Sequence, residues 1–158
     1  MRWRDEDGFV AGGEALALGV VVFVVGTLLV LNAWRLVDGR LAVETAAREA
    51  ARGLVEAPAT TILDPVAGHA VADTRARATM AAHRGPDTAA DATWVFVATQ
   101  LSGTAARCAP VTATVTVRVD TVRVPLVPVG FGTVTLVGEH TERIEPYRSG
   151  LPVGGAQC

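Results

Sequence analysis

Hydrophobic and polar positions follow three successive patterns along this chain, and each predicts a different element. Residues 15–34, ALALGVVVFVVGTLLVLNAW, contain no charged side chain and lie between Glu14 and Arg35. At about 1.5 Å per residue, a helix of this length reaches roughly 30 Å, the thickness of a bilayer's hydrocarbon core. Lipid offers the backbone no hydrogen-bond partner, so a single spanning segment must be helical. The valine-rich stretch at 20–25 would weaken a helix in water, but lipid leaves it little alternative. A core helix of a soluble protein is the competing element, and it would show a polar face that 15–34 lacks. Gly19 and Gly26 are seven residues apart and fall nearly on one face, where a second helix can approach closely.

The second pattern is helical but amphipathic. Residues 35–56 contain no proline, and at about 100° per residue Leu36, Val37, Leu41, Val43, Ala47, Ala50, Leu54 and Val55 form one broad face. Arg35, Asp38, Glu49, Arg52 and Glu56 gather opposite, and Arg40, Glu44 and Arg48 stand four apart, able to pair along the helix. Ala57-Pro58 breaks this stalk, and Pro65 ends the loop that follows. Residues 66–83 then read as a second, shorter helix, closed by the turn signal Arg84-Gly85-Pro86-Asp87.

The third pattern has a period of two. Residues 93–99 read as a strand, and Val111, Ala113, Val115, Val117 and Val119 alternate with Thr112, Thr114, Thr116, Arg118 and Asp120. Residues 122–129 extend this run, although Pro125 and Pro128 suit an edge or a loop better. Gly130-Phe131-Gly132 turns the chain into a last strand at 133–137, reaching toward Ile144. The expected fold class is α+β: a long N-terminal helix, half transmembrane and half amphipathic, then a short helix and a small antiparallel sheet. The expected organisation is a polar leader at 1–14, a transmembrane helix at 15–34, an α+β domain at 35–148 and a flexible tail at 149–158. Within the domain lie the stalk 35–56, the second helix 66–83 and the sheet 93–145.

Length and charge narrow the class further. The 158 residues carry a net charge of −2, which gives no electrostatic case for nucleic acid. Removing the membrane segment and its flank leaves roughly 120 residues, enough for one small core. The leader, MRWRDEDGFVAGGE, alternates its charges, and glycines at 8, 12 and 13 loosen it before the apolar segment. A cleaved signal peptide would have a shorter apolar run and a small-residue cleavage site, whereas Asn32-Ala33-Trp34 is a poor one. A retained anchor is expected. Orientation is contested by two signals. Basic residues flanking the segment favour a cytoplasmic C-terminal side, whereas two cysteines and a β-rich region favour an exported domain.

Catalytic chemistry finds little foothold. His69, His83 and His140 have no second ligand at metal-binding spacing, and Ser102 and Ser149, the only serines, lie in no nucleophile-elbow pattern. No phosphate loop, dinucleotide fingerprint or paired-carboxylate motif is present. No cofactor, metal or small-molecule substrate is therefore expected, and no enzyme. Cys108 and Cys158 leave three states open: an intramolecular disulfide, an intermolecular one, or two free thiols. Glu14 has two readings. It is either a first-turn charge favoured by the helix dipole or a carboxylate that neutralises a positive charge at membrane depth.

The polar leader with its glycine, the acidic Glu14 before one apolar helix, and LVDGRLAVETAAREAARGLVEA directly after it resemble the TadE-like family. Its members are pilin-like (pseudopilin) proteins of the tight-adherence (Tad) pilus machinery. The Thr/Val strand after Cys108 and the tail TVTLVGEHTERIEPYRSG agree with that resemblance, which covers nearly the whole chain. Its most specific part is 37–52. The resemblance implies a minor pilin or pseudopilin, with the leader in the cytoplasm and the C-terminal domain outside the cell membrane. It implies packing with other pilin-like subunits and Tad assembly proteins, with Glu14, Gly19 and Gly26 at the contact. It also implies a prepilin peptidase cutting after Gly8 to expose Phe9; that cut places Glu14 sixth in the mature chain, where the family pattern has the glutamate fifth. The other functional class is an uncleaved, membrane-anchored envelope module that belongs to no filament.

Overall fold

A computed structural model of the chain describes residues 7–84, 94–120 and 132–154. Its elements are α1 (Asp7–Glu56), α2 (Ala59–Leu63), α3 (Pro65–Arg84), β1 (Trp94–Gly103), β2 (Pro110–Asp120) and β3 (Thr133–Arg143). The three strands form an antiparallel sheet in the order β1-β2-β3. With the long N-terminal helix and the short helices, this is an α+β fold.

Helix α1 runs unbroken for 50 residues. It joins the apolar segment to the amphipathic stalk without a kink residue, and it already includes Asp7, well ahead of the expected start at residue 15. Glycines at 8, 12 and 13 therefore lie inside the helix rather than loosening its approach. Each costs about 1 kcal/mol relative to alanine, a penalty that cooperative extension from a long helix tolerates. Pro58, with φ −52° and ψ 149°, ends α1 where the break was expected. The segment up to Pro65 is not a plain loop, because it forms the five-residue α2 and buries Ile62. Asp64 then caps α3, its Oδ1 accepting the N–H groups of Val66 at 2.9 Å and Ala67 at 3.3 Å. Pro65 suits the first helical position because its missing N–H would have no helical partner there.

Sheet register decides which side chains meet the helices. Val111, Ala113, Val115, Val117 and Val119 of β2 are all buried. Their partners on β3 put Val134, Leu136, Gly138 and His140 on the same face. In β1 the register shifts between Phe96 and Ala98, which makes Val97 a bulge residue. Before it, Trp94 and Phe96 face inward; after it, Thr99 and Leu101 do, paired with Val115 and Ala113. The strand expected at 93–99 runs on to Gly103, and the last strand extends from Thr133 to Arg143, toward Ile144 as the pattern suggested. The strand extension at 122–129 and the turns at Gly85-Pro86-Asp87 and Gly130-Phe131 lie outside the described residues.

The main core joins a strip of small residues on α1 to Ala72, Ala76 and Met80 of α3 and to the valine face of β2. On α1 the strip comprises Ala42, Val43, Ala46, Ala47, Ala50 and Ala51, and it corrects the expected apolar face. Val37 and Leu41 are 58% and 56% exposed, respectively. Small side chains won this face because they let backbones approach. A methyl placed on Gly138 would lie 2.6 Å from the carbonyl oxygen of Val43, so only glycine fits where β3 crosses α1. A second cluster at the far end of the stalk packs Leu54, Val55 and Ile62 with Val111, Ile144 and Leu151.

The expected flexible tail is packed as far as it is described. Arg107 donates its backbone N–H to Pro152 O at 3.0 Å and its Nε to Leu151 O at 2.9 Å. Leu151 is buried between these bonds. Arg148 is the second tether. Its guanidinium donates to Val55 O at 2.5 Å, to Glu56 O at 2.8 Å and to Ala57 O. It thus satisfies carbonyls that the end of a helix leaves without partners.

Candidate functional site

The N-terminal half of α1 holds the chain's largest unpartnered apolar surface among the described residues. Leu16, Leu18, Phe23, Leu29 and Val30 are all well exposed, and no described element lies against this half. It is the one described helix long and apolar enough to cross a membrane. Its polar side chains bond back to their own helix: Thr27 Oγ1 donates to Phe23 O and Asn32 Nδ2 to Leu28 O, both at 2.9 Å. Such back-bonding spares a polar group the cost of meeting lipid unpaired.

Rotation around α1 sorts the candidate residues. Taking about 100° per residue, Gly19, Phe23, Gly26, Val30, Trp34, Val37 and Leu41 fall within one sector about 80° wide. Their steps of four, three, four, four, three and four residues give a continuous stripe. It points away from the sheet, which covers the opposite strip at Gly39, Val43 and Ala46. A methyl on Gly19 or Gly26 would meet nothing within 4 Å, so both glycines are open to a neighbouring helix. The stripe does not stop at Arg35. Trp34, Val37 and Leu41 carry it about two turns past the uncharged segment, and all three are more than half exposed. Sequence reasoning placed Val37 and Leu41 on the same broad apolar face as the buried Val43, Ala47 and Ala50, a face drawn too wide. The regular spacing of large apolar residues from 23 to 41 was the available signal.

Glu14 stands elsewhere. It is exposed and occupies the eighth position of α1, beyond the first turn where a helix dipole favours acidic side chains. That removes the dipole account of its position. Glu14 and Gly19 are five residues apart, which separates them by about 140° around the axis. The carboxylate and the glycine stripe therefore lie on different faces of α1. Gly8 and Phe9 lie within α1, close to the first of its described residues.

The remaining candidates are dispersed. Cys108 is disulfide-bonded and adopts a left-handed backbone with φ +62°. Cys158, the only other cysteine of the chain, lies outside the described residues. His69 Nε2 lies 2.7 Å from Thr99 O, and His140 Nε2 lies 3.3 Å from Glu142 Oε2. The described residues hold no cluster of metal-ligating side chains. Along the stalk, Arg40 pairs with Glu44 at 2.9 Å, as the spacing suggested. Arg52 pairs with Glu56 at 2.7 Å. The hydrogen bond and charge of Arg52 hold the Glu56 carboxyl below its ordinary range. Compared with protein-family models, curated proteins and solved structures, the chain matches none.

Proposed function

We propose that this protein is a single-pass, pilin-like membrane subunit that assists assembly of a Tad-type pilus by packing α1 against helices of other subunits. The leader lies in the cytoplasm and the α+β domain outside the cell membrane. The observation that supports this reading most is the stripe from Gly19 to Leu41, which runs without interruption from the uncharged segment into the stalk. A bare lipid anchor needs no patterned face beyond the hydrocarbon core, because water and not lipid surrounds Val37 and Leu41 there. A neighbouring helix that follows α1 out of the membrane would cover them. Glu14, on a different face, neutralises a positive group of another neighbour.

A second reading keeps the protein as an uncleaved, membrane-anchored envelope module. What favours it is the spacing at the leader, since a cut after Gly8 leaves Glu14 sixth in the mature chain. Intact mass and amino-terminal sequence separate the two readings, taken from envelope fractions and from sheared surface material. A mature start at Phe9 or Val10 in sheared material is expected for the pilus subunit. A start at Met1, with protein confined to the membrane, overturns that assignment.

A further inference from the structure

At the end of the domain farthest from the membrane segment, α1, α2, the start of α3 and the β1–β2 connection surround a cavity of about 510 Å³. Leu54, in its wall, is twenty residues beyond Trp34 on α1, or roughly 30 Å along the helix axis. Leu54, Ile62, Leu101 and Val111 make the lining mainly apolar. The cavity opens to solvent along Leu63, His69 and Thr104, and its volume lies within the roughly 300–1,000 Å³ usual for small-molecule pockets.

One side chain gives the cavity chemical direction. His69, in the second turn of α3, lines it. Its Nε2 is 2.7 Å from the carbonyl oxygen of Thr99. A carbonyl can only accept, so the proton of the neutral ring resides on Nε2, and Nδ1 is left as an acceptor. The same bond ties the ring to β1. Ser102 also borders the cavity, but the register after the bulge turns Thr99 and Leu101 toward the helices and Ser102 to the other face. No serine–histidine pair is formed across the strand, so the arrangement suits binding and not acyl transfer.

We propose that this cavity binds a small amphipathic molecule, an aromatic or branched aliphatic body bearing one O–H or N–H donor, with the donor satisfied by Nδ1 of His69. The apolar walls supply affinity and the histidine supplies orientation. The assignment goes beyond assembly, and it holds whether or not the chain enters a filament.

The chain has only two isoleucines, Ile62 in the cavity wall and Ile144 outside it. Full-length protein in lipid nanodiscs, labelled at isoleucine δ1 methyls, therefore yields two signals, one in the wall and one packed behind it. Phenol, titrated against empty nanodiscs as blank, is expected to shift the Ile62 methyl saturably and further than that of Ile144. Toluene has the same shape without the donor, and it should bind about five-fold more weakly, the loss of one ordinary hydrogen bond. His69→Phe should bring the two affinities together, and Leu101→Trp should abolish both by filling the space. Cooperative unfolding in denaturant checks that each variant is folded. An Ile62 signal that responds to neither compound, or equally to both in the unmutated protein, overturns the proposal. That comparison needs no variant and no knowledge of leader processing.

Discussion

Among the described residues, Thr99 is the one buried polar residue in the core whose hydroxyl lacks a partner. Its position follows from the bulge at Val97, which swaps the parity of β1 and turns Thr99 toward the helices. Burying a hydroxyl unpaired costs about 1–3 kcal/mol, and valine has nearly the same shape. Thr99→Val is therefore expected to stabilise the domain by about 1 kcal/mol in denaturant unfolding; a loss of stability would reveal a partner for the hydroxyl. None of this is legible in the sequence, because alternation along 93–99 cannot announce that one extra residue will reverse its sense. Arg148 is a similar case. Its three acceptors lie more than 90 positions earlier in the chain, beyond the reach of any local pattern. Hydrogen bonds to a charged donor contribute about 1.5–3 kcal/mol, so Arg148→Met should destabilise the domain by about 2 kcal/mol. It should also raise amide exchange at the last turn of α1 and at α2 more than in the sheet.

At the scale of elements, the legible features were those written in large residues or in breakers. The apolar segment, the stalk, the helix at 66–83 and the alternation of β2 follow from charge, proline and period, and the described structure contains each. Of the face expected on α1, Val43, Ala47, Ala50, Leu54 and Val55 are buried and Val37 and Leu41 are not; Ala42, Ala46 and Ala51 take the inner side because small residues decide how closely two backbones approach. Gly138 tests that account. A methyl there would lie 2.6 Å from a backbone atom of Val43, and neither β3 nor α1 can move without disturbing the core between them. Gly138→Ala should cost about 1–3 kcal/mol, against a small change for alanine at an open position of the same strand. The Arg52–Glu56 pair is the opposite kind of feature, clear in the sequence and energetically slight, since both side chains are more than half exposed. Its sign is nonetheless definite. Arg52 lowers the Glu56 carboxyl in the folded state, so its contribution is present above the unfolded carboxyl's value and is lost as pH falls through the depressed folded one. The difference in melting temperature between Glu56→Gln and the parent should be small at neutral pH in low salt. It should vanish in acid and also at high ionic strength.

For the whole molecule, the question is why one helix carries two unlike halves and two unlike faces. The half toward the C-terminus is held by the sheet through a narrow strip of small residues, which leaves most of the opposite stripe exposed. If α1 served only to fasten the domain to lipid, substitutions on that stripe outside the membrane would be close to neutral, since Val37 and Leu41 are more than half exposed. If α1 packs with other helices, the same substitutions should spare the fold and impair assembly. Leu41→Gln separates these cases. It should leave domain stability within about 0.5 kcal/mol, as exposed surface changes do, yet reduce co-purification with the pilin-like subunits that the proposed assembly requires. Glu14→Ala, on the other face, should act independently, because the two residues are too far apart along α1 and around it to share a neighbour. The double variant should then show the sum of the two single losses in free-energy terms. Two losses that merge into one would mean a single contact surface wrapping the helix, and no loss from either variant would leave α1 as an anchor alone.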